Sequence, residues 1–248
     1  MAAEEAAPAA LNYIPEVVLK KRKNNEEWAI RRKLQLQERA KRHKSTNNLF
    51  IKKPEQFIRE YRDKELDLIQ MKSRVKLKRR ASATPDSKLL FVIRIGGKND
   101  MHPKSRKILY SLRLRKILTG VFVEANEGVM ERLKKVEPYV TYGSPNVKNV
   151  KDLIYKKGIV KVGKDRVPLT DNNVVEQELG QHDIICLEDI VNEIATVGPH
   201  FKDVTNFLCP FSLNNPEKAL HGKRRRFEDG GDSGNRKDRI NELLSKMN

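Results

Sequence analysis

Residues 89–95 read Leu89-Leu90-Phe91-Val92-Ile93-Arg94-Ile95, and Gly96-Gly97 follows at once. A short apolar run rich in branched and aromatic residues, closed by glycines, reads as a buried strand. Downstream, Pro103 opens a helix whose Ile108, Leu109, Leu112 and Leu118 fall on one side, with Gly120 expected to end it. Residues 121–123 follow as a second strand. Residues 128–136 make a second helix that packs through Val129, Leu133 and Val136, and residues 139–142 make a third strand stopped by Gly143. The order is β-α-β-α-β.

Further along, a helix over 147–157 leads to strands over 159–162 and 166–169, joined as a hairpin through Gly163-Lys164-Asp165. Thr170 and Asp171 cap a helix that stops before Gly180, a second helix covers 187–197, and Pro199 starts a third that runs through Phe207. A basic run Lys223-Arg224-Arg225-Arg226, a turn at Gly230-Gly231 and a helix over 237–247 complete the pattern.

Upstream of the strand the composition changes. Residues 20–80 carry 22 basic and 8 acidic side chains, +14 of the +18 formal charge of all 248 residues. Such asymmetry describes an arm and a body. Residues 16–43 contain neither Gly nor Pro and are dominated by helix formers, yet Val17, Trp28, Ile30, Leu34 and Leu36 form no wide stripe. A helix polar nearly all round needs an external surface. Ser45-Thr46-Asn47-Asn48 interrupts the pattern, and Pro54-Glu55 opens a second helix to about Arg80, with a better stripe of Phe57, Ile58, Tyr61, Leu68 and Ile69. Ala81-Ser82-Ala83-Thr84-Pro85 then reads as a linker. The division expected is an arm over 1–87, a core over 88–146 and a third region over 147–248. The arm lacks leucine or isoleucine at sustained heptad positions, so a zipper dimer is not expected.

Composition narrows the function. Hydrophobic residues are 38% and charged residues 34% of the chain, against roughly 45 to 50% and 25% in ordinary soluble domains, so part of the chain must live on a partner. A charge of +18, +14 of it on the arm, calls for a polyanion, and nucleic acid is the leading one. No apolar run reaches the length of a membrane span, and the acidic, alanine-rich start lacks the pattern of a signal peptide, so an intracellular, soluble protein is expected. Cys186 and Cys209 lie 23 positions apart without a CxxC, which offers neither a disulfide framework nor a zinc module; both read as buried small hydrophobes. His43, His102, His182, His200 and His221 show no i, i+4 pair, so neither a metal site nor a cofactor is expected.

Catalytic constellations are missing as well: there is no GxSxG, no HExxH and no Walker A loop. Gly96-Gly97 followed by Glu124 imitates a dinucleotide-binding unit, but Lys98 and Met101, or Asn99 and His102, occupy the positions that the glycine fingerprint needs. The chemistry that remains is cationic. Arg94, Lys98, Lys104, Arg106, Lys107, Arg113, Arg115 and Lys116 stand against one acid, Asp100, between positions 94 and 116. With Lys20, Lys21, Arg22, Lys23, Arg31, Arg32, Lys33, Arg39, Lys41, Arg42, Lys44, Arg74, Lys76, Lys78, Arg79 and Arg80 of the arm, and Lys223 to Arg226, they are the expected RNA contacts. Trp28, Phe50 and Tyr61 are available for base stacking or for docking on neighbouring proteins.

The residues 89–95 quoted above, Leu112-Arg113-Leu114-Arg115-Lys116 and Tyr139-Val140-Thr141-Tyr142-Gly143 resemble the core of the universal large-ribosomal-subunit protein family called L-thirty in bacteria. The arm, Ile184-Ile185-Cys186-Leu187-Glu188-Asp189 and Gly230-Gly231-Asp232-Ser233-Gly234-Asn235-Arg236 are similar to its longer eukaryotic cytosolic branch, the L-seven proteins. The resemblance implies a small ferredoxin-like α/β core with a long basic N-terminal helical extension. It also implies a non-enzymatic role in assembling and holding the 60S subunit on ribosomal RNA beside other ribosomal proteins, with a transient nucleolar pool. A free-standing basic RNA- or DNA-binding regulator is the rival reading.

Overall fold

A computed structural model of the chain describes residues 15–47, 52–78, 87–163, 165–216, 220 and 225–248. The chain divides into two units, Met1–Gln56 and Phe57–Asn248. In the first, α1 (Glu16–Asn47) is one long helix in which every described side chain is exposed. It runs through Ser45-Thr46-Asn47, past the expected end at His43. Three small polar residues cost a helix only a few tenths of a kcal/mol each, on the order of what one favourable i, i+4 pair returns.

The second unit is built on a five-stranded sheet in the order β6-β2-β1-β3-β7. Its centre is β1 (Leu89–Arg94), antiparallel to β2 (Thr119–Glu124) with Val92 opposite Val121, and antiparallel to β3 (Val140–Gly143) with Val92 opposite Tyr142. Two short strands that the sequence pattern did not announce complete the edges. β6 (Phe211–Ser212) lies antiparallel on β2, and β7 (Gly234–Asn235) parallel on β3.

Side chains alternate across a strand. Leu90 and Val92 join one apolar cluster with Leu109 of α3 (Pro103–Ser111), with Leu133 and Val136 of α4 (Glu127–Val136), and with Tyr139. Leu89, Phe91 and Ile93 join the other, which is roofed by α5 (Val147–Lys157), α6 (Asn172–Leu179), α7 (Leu187–Thr196), α8 (Phe201–Phe207) and α9 (Ile240–Met247). Burial on both faces is why residues 89–93 are continuously apolar. The core is thus a ferredoxin-like β-α-β-α-β unit, with further helices on its second face. The expected hairpin forms as β4 (Ile159–Val162) and β5 (Asp165–Pro168). No helix among the described residues is long and apolar enough to cross a membrane.

One boundary departs clearly from the expectation. The helix expected to run to Gly120 ends at Ser111, and the chain turns through Arg113 (φ 64°) and Leu118 (φ 57°). Gly120 lies inside β2, where a Cβ would meet Cζ of Phe91 at 2.3 Å. Its lack of a side chain makes room for the ring of Phe91, which is fully buried.

The second helix of the expected arm is α2 (Pro54–Lys78). From Phe57 onward it belongs to the second unit, and its buried side chains are Asp67 and Met71, while of the apolar stripe only Leu68 is even half-buried. Ile58, Tyr61 and Ile69 of that stripe are exposed. Residues 79–86, including Arg79, Arg80 and the expected linker, lie outside the described residues, as do the first 14 residues and Phe50.

Candidate nucleic-acid interface

The basic side chains fall into three groups. On α1, Lys20, Lys21, Arg22, Lys23, Arg31, Arg32 and Lys33 are all exposed. Lys20 pairs with Glu16 at 2.8 Å one turn earlier, and the Arg31 guanidinium lies 5.7 Å from the centroid of the Trp28 ring. Exposed pairs of this kind hold little energy, so these cations can exchange their partners for phosphates. Arg39, Lys41, Arg42 and Lys44 lie on the same helix. Since 68% of Trp28 is exposed, together with more than half of Ile30, Leu34 and Leu36, the described side chains of the helix form no buried face.

The second group surrounds α3. Lys98, Lys104, Lys107, Arg115 and Lys116 are exposed, and Arg106 is half-buried and donates to the carbonyl oxygen of Lys98 at 2.9 Å. The Arg115 guanidinium lies 5.8 Å from the centroid of the Tyr110 ring. The third group is C-terminal. Arg225 is exposed, Arg226 is half-buried with its Nε 3.8 Å from Glu137, and Lys223 and Arg224 lie outside the described residues.

Three arginines expected on this surface turn inward instead. Arg94 is only 5% exposed, and its guanidinium donates to the carbonyl oxygens of Gly96 (3.1 Å), Leu114 (3.0 Å), Arg115 (2.6 Å) and Gly97. Arg113 donates to the carbonyl oxygens of Leu208 (2.6 Å) and Thr205. Arg74 lies 3.6 Å from the buried Asp67. Burial pushes all three guanidinium groups below the usual arginine value. A planar fork of five donors satisfies backbone carbonyls that would otherwise be stranded in the interior. Arg94 and Arg113 therefore clamp residues 112–118, the loop that presents Arg115 and Lys116. A count of charge along the chain cannot separate clamps from exposed cations.

Sequence reasoning also missed the C-terminal stack. The guanidinium groups of Arg236 and Arg239 lie 4.6 and 5.9 Å from the centroid of the Phe227 ring, and Arg236 is tied to Asp232 at 2.7 Å. Arg239 is exposed and adds a cation to the third group. Lys76 and Lys78 lie on α2. Of the two cysteines, Cys209 is buried as expected, whereas Cys186 is half-buried at the start of α7 with its Sγ 3.1 Å from the Asp189 carboxylate.

The arrangement offers dispersed cations and exposed aromatics, which suits a phosphate backbone. Residues 90–140 match the family described as Ribosomal protein L30p/L7e, and residues 14–83 match the Ribosomal L30 N-terminal domain. Over 251 aligned residues the chain is 53% identical to the large ribosomal subunit protein uL30z of Arabidopsis thaliana, with 100% of both chains covered. It is 46% identical over 234 residues to uL30 of Caenorhabditis elegans, covering 94% of this chain and 96% of that one. To uL30 of Neurospora crassa it is 44% identical over 236 residues, covering 95% of each.

Proposed function

The chain belongs to the Ribosomal protein L30p/L7e family, and on that premise we infer that it is a structural, non-enzymatic constituent of the large subunit of the eukaryotic cytosolic ribosome. The observation that carries this reading is identity along the whole length of relatives that bear that name, arm included. Its partners are then large-subunit ribosomal RNA and the neighbouring ribosomal proteins.

In the mechanism we propose, the exposed cations of α1, Arg115 and Lys116 with the lysines of α3, and Arg225 with Arg226 neutralise phosphates of folded RNA. The release of condensed counterions drives the binding. The deep, narrow major groove of A-form RNA is closed to side chains, so recognition rests on phosphates, 2′-hydroxyls and irregular loops. Residues 1–87 act as the RNA-reaching arm with α2 as its root on the core, residues 88–146 as the core, and residues 147–248 as a region added to it. The basic clusters Lys20 to Lys23, Lys78 to Arg80 and Lys223 to Arg226 serve nuclear import, which gives a transient nucleolar pool before the subunit reaches the cytosol.

Removal of residues 1–51 tests the arm without disturbing the seat of α2. RNA affinity should fall, and the plot of log affinity against log salt should flatten by about 0.7 to 0.9 for each phosphate that the shortened chain no longer neutralises. An unchanged slope would mean that the arm does not touch RNA.

A further inference from the structure

Two histidines 18 positions apart, with no spacing that marks a ligand pair, meet in the fold. His182 ends a short 3-10 turn, Gly180–His182, after α6, and His200 immediately precedes α8. Their rings lie 4.4 Å apart between centroids at 32°. Asp203, in the first turn of α8, faces both: its Oδ2 is 3.9 Å from Nε2 of His182 and 3.9 Å from Nδ1 of His200. Among the described residues this is the one group of three histidine, cysteine or acidic side chains whose ligand atoms all lie within 4.8 Å of one another.

We propose that His182, His200 and Asp203 form a binding site for a divalent ion of the zinc type. Two imidazole nitrogens and a carboxylate oxygen are the donors such an ion takes, with water filling the fourth position. Bonds of about 2.0 to 2.1 Å place tetrahedral ligands about 3.4 Å apart, so the two 3.9 Å separations need to close by about half an ångström and the two imidazole nitrogens, within 4.8 Å of each other, by at most about 1.4 Å. All three side chains keep some exposure, which allows that adjustment and leaves the ion a way in.

The segment that supplies the ligands is acidic in sequence. Between positions 171 and 203 there are eight acidic residues and a single Lys, in a protein whose total charge is +18. The backbone of His200 is also pinned: its N–H donates to Oε1 of Glu193 at 2.6 Å. That carboxylate lies so close over Gly198 that a Cβ there would meet it at 2.2 Å. Val175 and Leu179 on α6 and Phe201 and Val204 on α8, all buried in one cluster, hold the two ligand-bearing segments in place. Groups that fix the backbone of a ligand reduce the ordering cost of binding.

Titration of the full chain, stripped with a chelator, with Zn2+ in a calorimeter is the test, with Co2+ as a spectroscopic stand-in. One equivalent should bind with micromolar or tighter affinity. Co2+ should show the visible ligand-field absorption of a four-coordinate nitrogen and oxygen site. His182→Asn, His200→Asn and Asp203→Asn should each weaken binding by about tenfold or more, while His43→Ala leaves it unchanged. Circular dichroism of each variant without metal confirms that the fold is intact. Absence of saturable binding, or binding that survives the double variant His182→Asn, His200→Asn, would overturn the proposal.

Discussion

The carboxylate of Asp67 on α2 accepts a hydrogen bond from the hydroxyl of Ser105 on α3 at 3.0 Å, and both side chains are buried. The same carboxylate accepts the backbone N–H of His102 at 2.9 Å and faces Arg74 at 3.6 Å. One acidic side chain thus joins α2 to the start of α3, close to the basic surface around α3.

Replacement of Asp67 by Ala strands a buried hydroxyl, an N–H and a guanidinium at once. The expected cost is about 3 kcal/mol in chemical denaturation. Ser105→Ala, which leaves the carboxylate its partners His102, Arg74 and Tyr139, should cost about 1 kcal/mol. A loss at Asp67 of only a few tenths of a kcal/mol would show that α2 is not seated through this group.

Arg113 and its neighbours separate clamp from RNA-facing cation. Arg113→Ala removes two charged hydrogen bonds to carbonyl oxygens of residues 205 and 208 and should lower stability by about 2 kcal/mol. Arg115→Gln with Lys116→Gln, both at exposed positions, should alter stability by no more than about 0.5 kcal/mol each while weakening RNA binding. Thermal unfolding and a binding isotherm on the same samples decide the matter. Equal melting temperatures for the two variants would dissolve the distinction.

Burial is the main reason that the hydroxyls of Tyr139 and Tyr142 are pushed far above the usual tyrosine value, with Asp67 adding to the effect at Tyr139 and Glu137 at Tyr142. A raised value means that the folded state holds the proton more tightly than the unfolded state does. The stabilisation is therefore complete below about pH 10 and declines as pH rises from there toward the folded value. Tyr142→Phe, which has no proton to lose, should lose less stability than the parent between neutral pH and about pH 11, measured by urea midpoints. Parallel pH profiles would contradict this.

The central strand and α5 are written in local pattern: burial on both faces demands an unbroken apolar run, and α5 spans Val147–Lys157 as its spacing predicts. Residues 112–118 mislead for a physical reason. Leu112 and Leu114 are buried and continue a helical rhythm, but the segment is tied to distant parts of the chain: Arg94 donates to the carbonyl oxygens of Leu114 and Arg115, and Arg113 donates to those of Thr205 and Leu208. β6 and β7 have two residues each, too few for any periodicity to register. The exposed cations of α1 were legible because a helix with no apolar face leaves them nowhere to turn. The inward arginines and the pairing of His182 with His200 are tertiary facts, set by which segments the core brings together.

The proposed function requires that this chain be built into the large ribosomal subunit. The most direct measurement is to fractionate a lysate of cells that express the tagged full chain on a sucrose gradient and to follow it by immunoblot. Nearly all of the chain should sediment with large-subunit, monosome and polysome fractions, and should shift to the subunit fractions when magnesium is chelated. A majority in the free fractions at the top of the gradient would contradict the account and favour a free-standing nucleic-acid-binding protein.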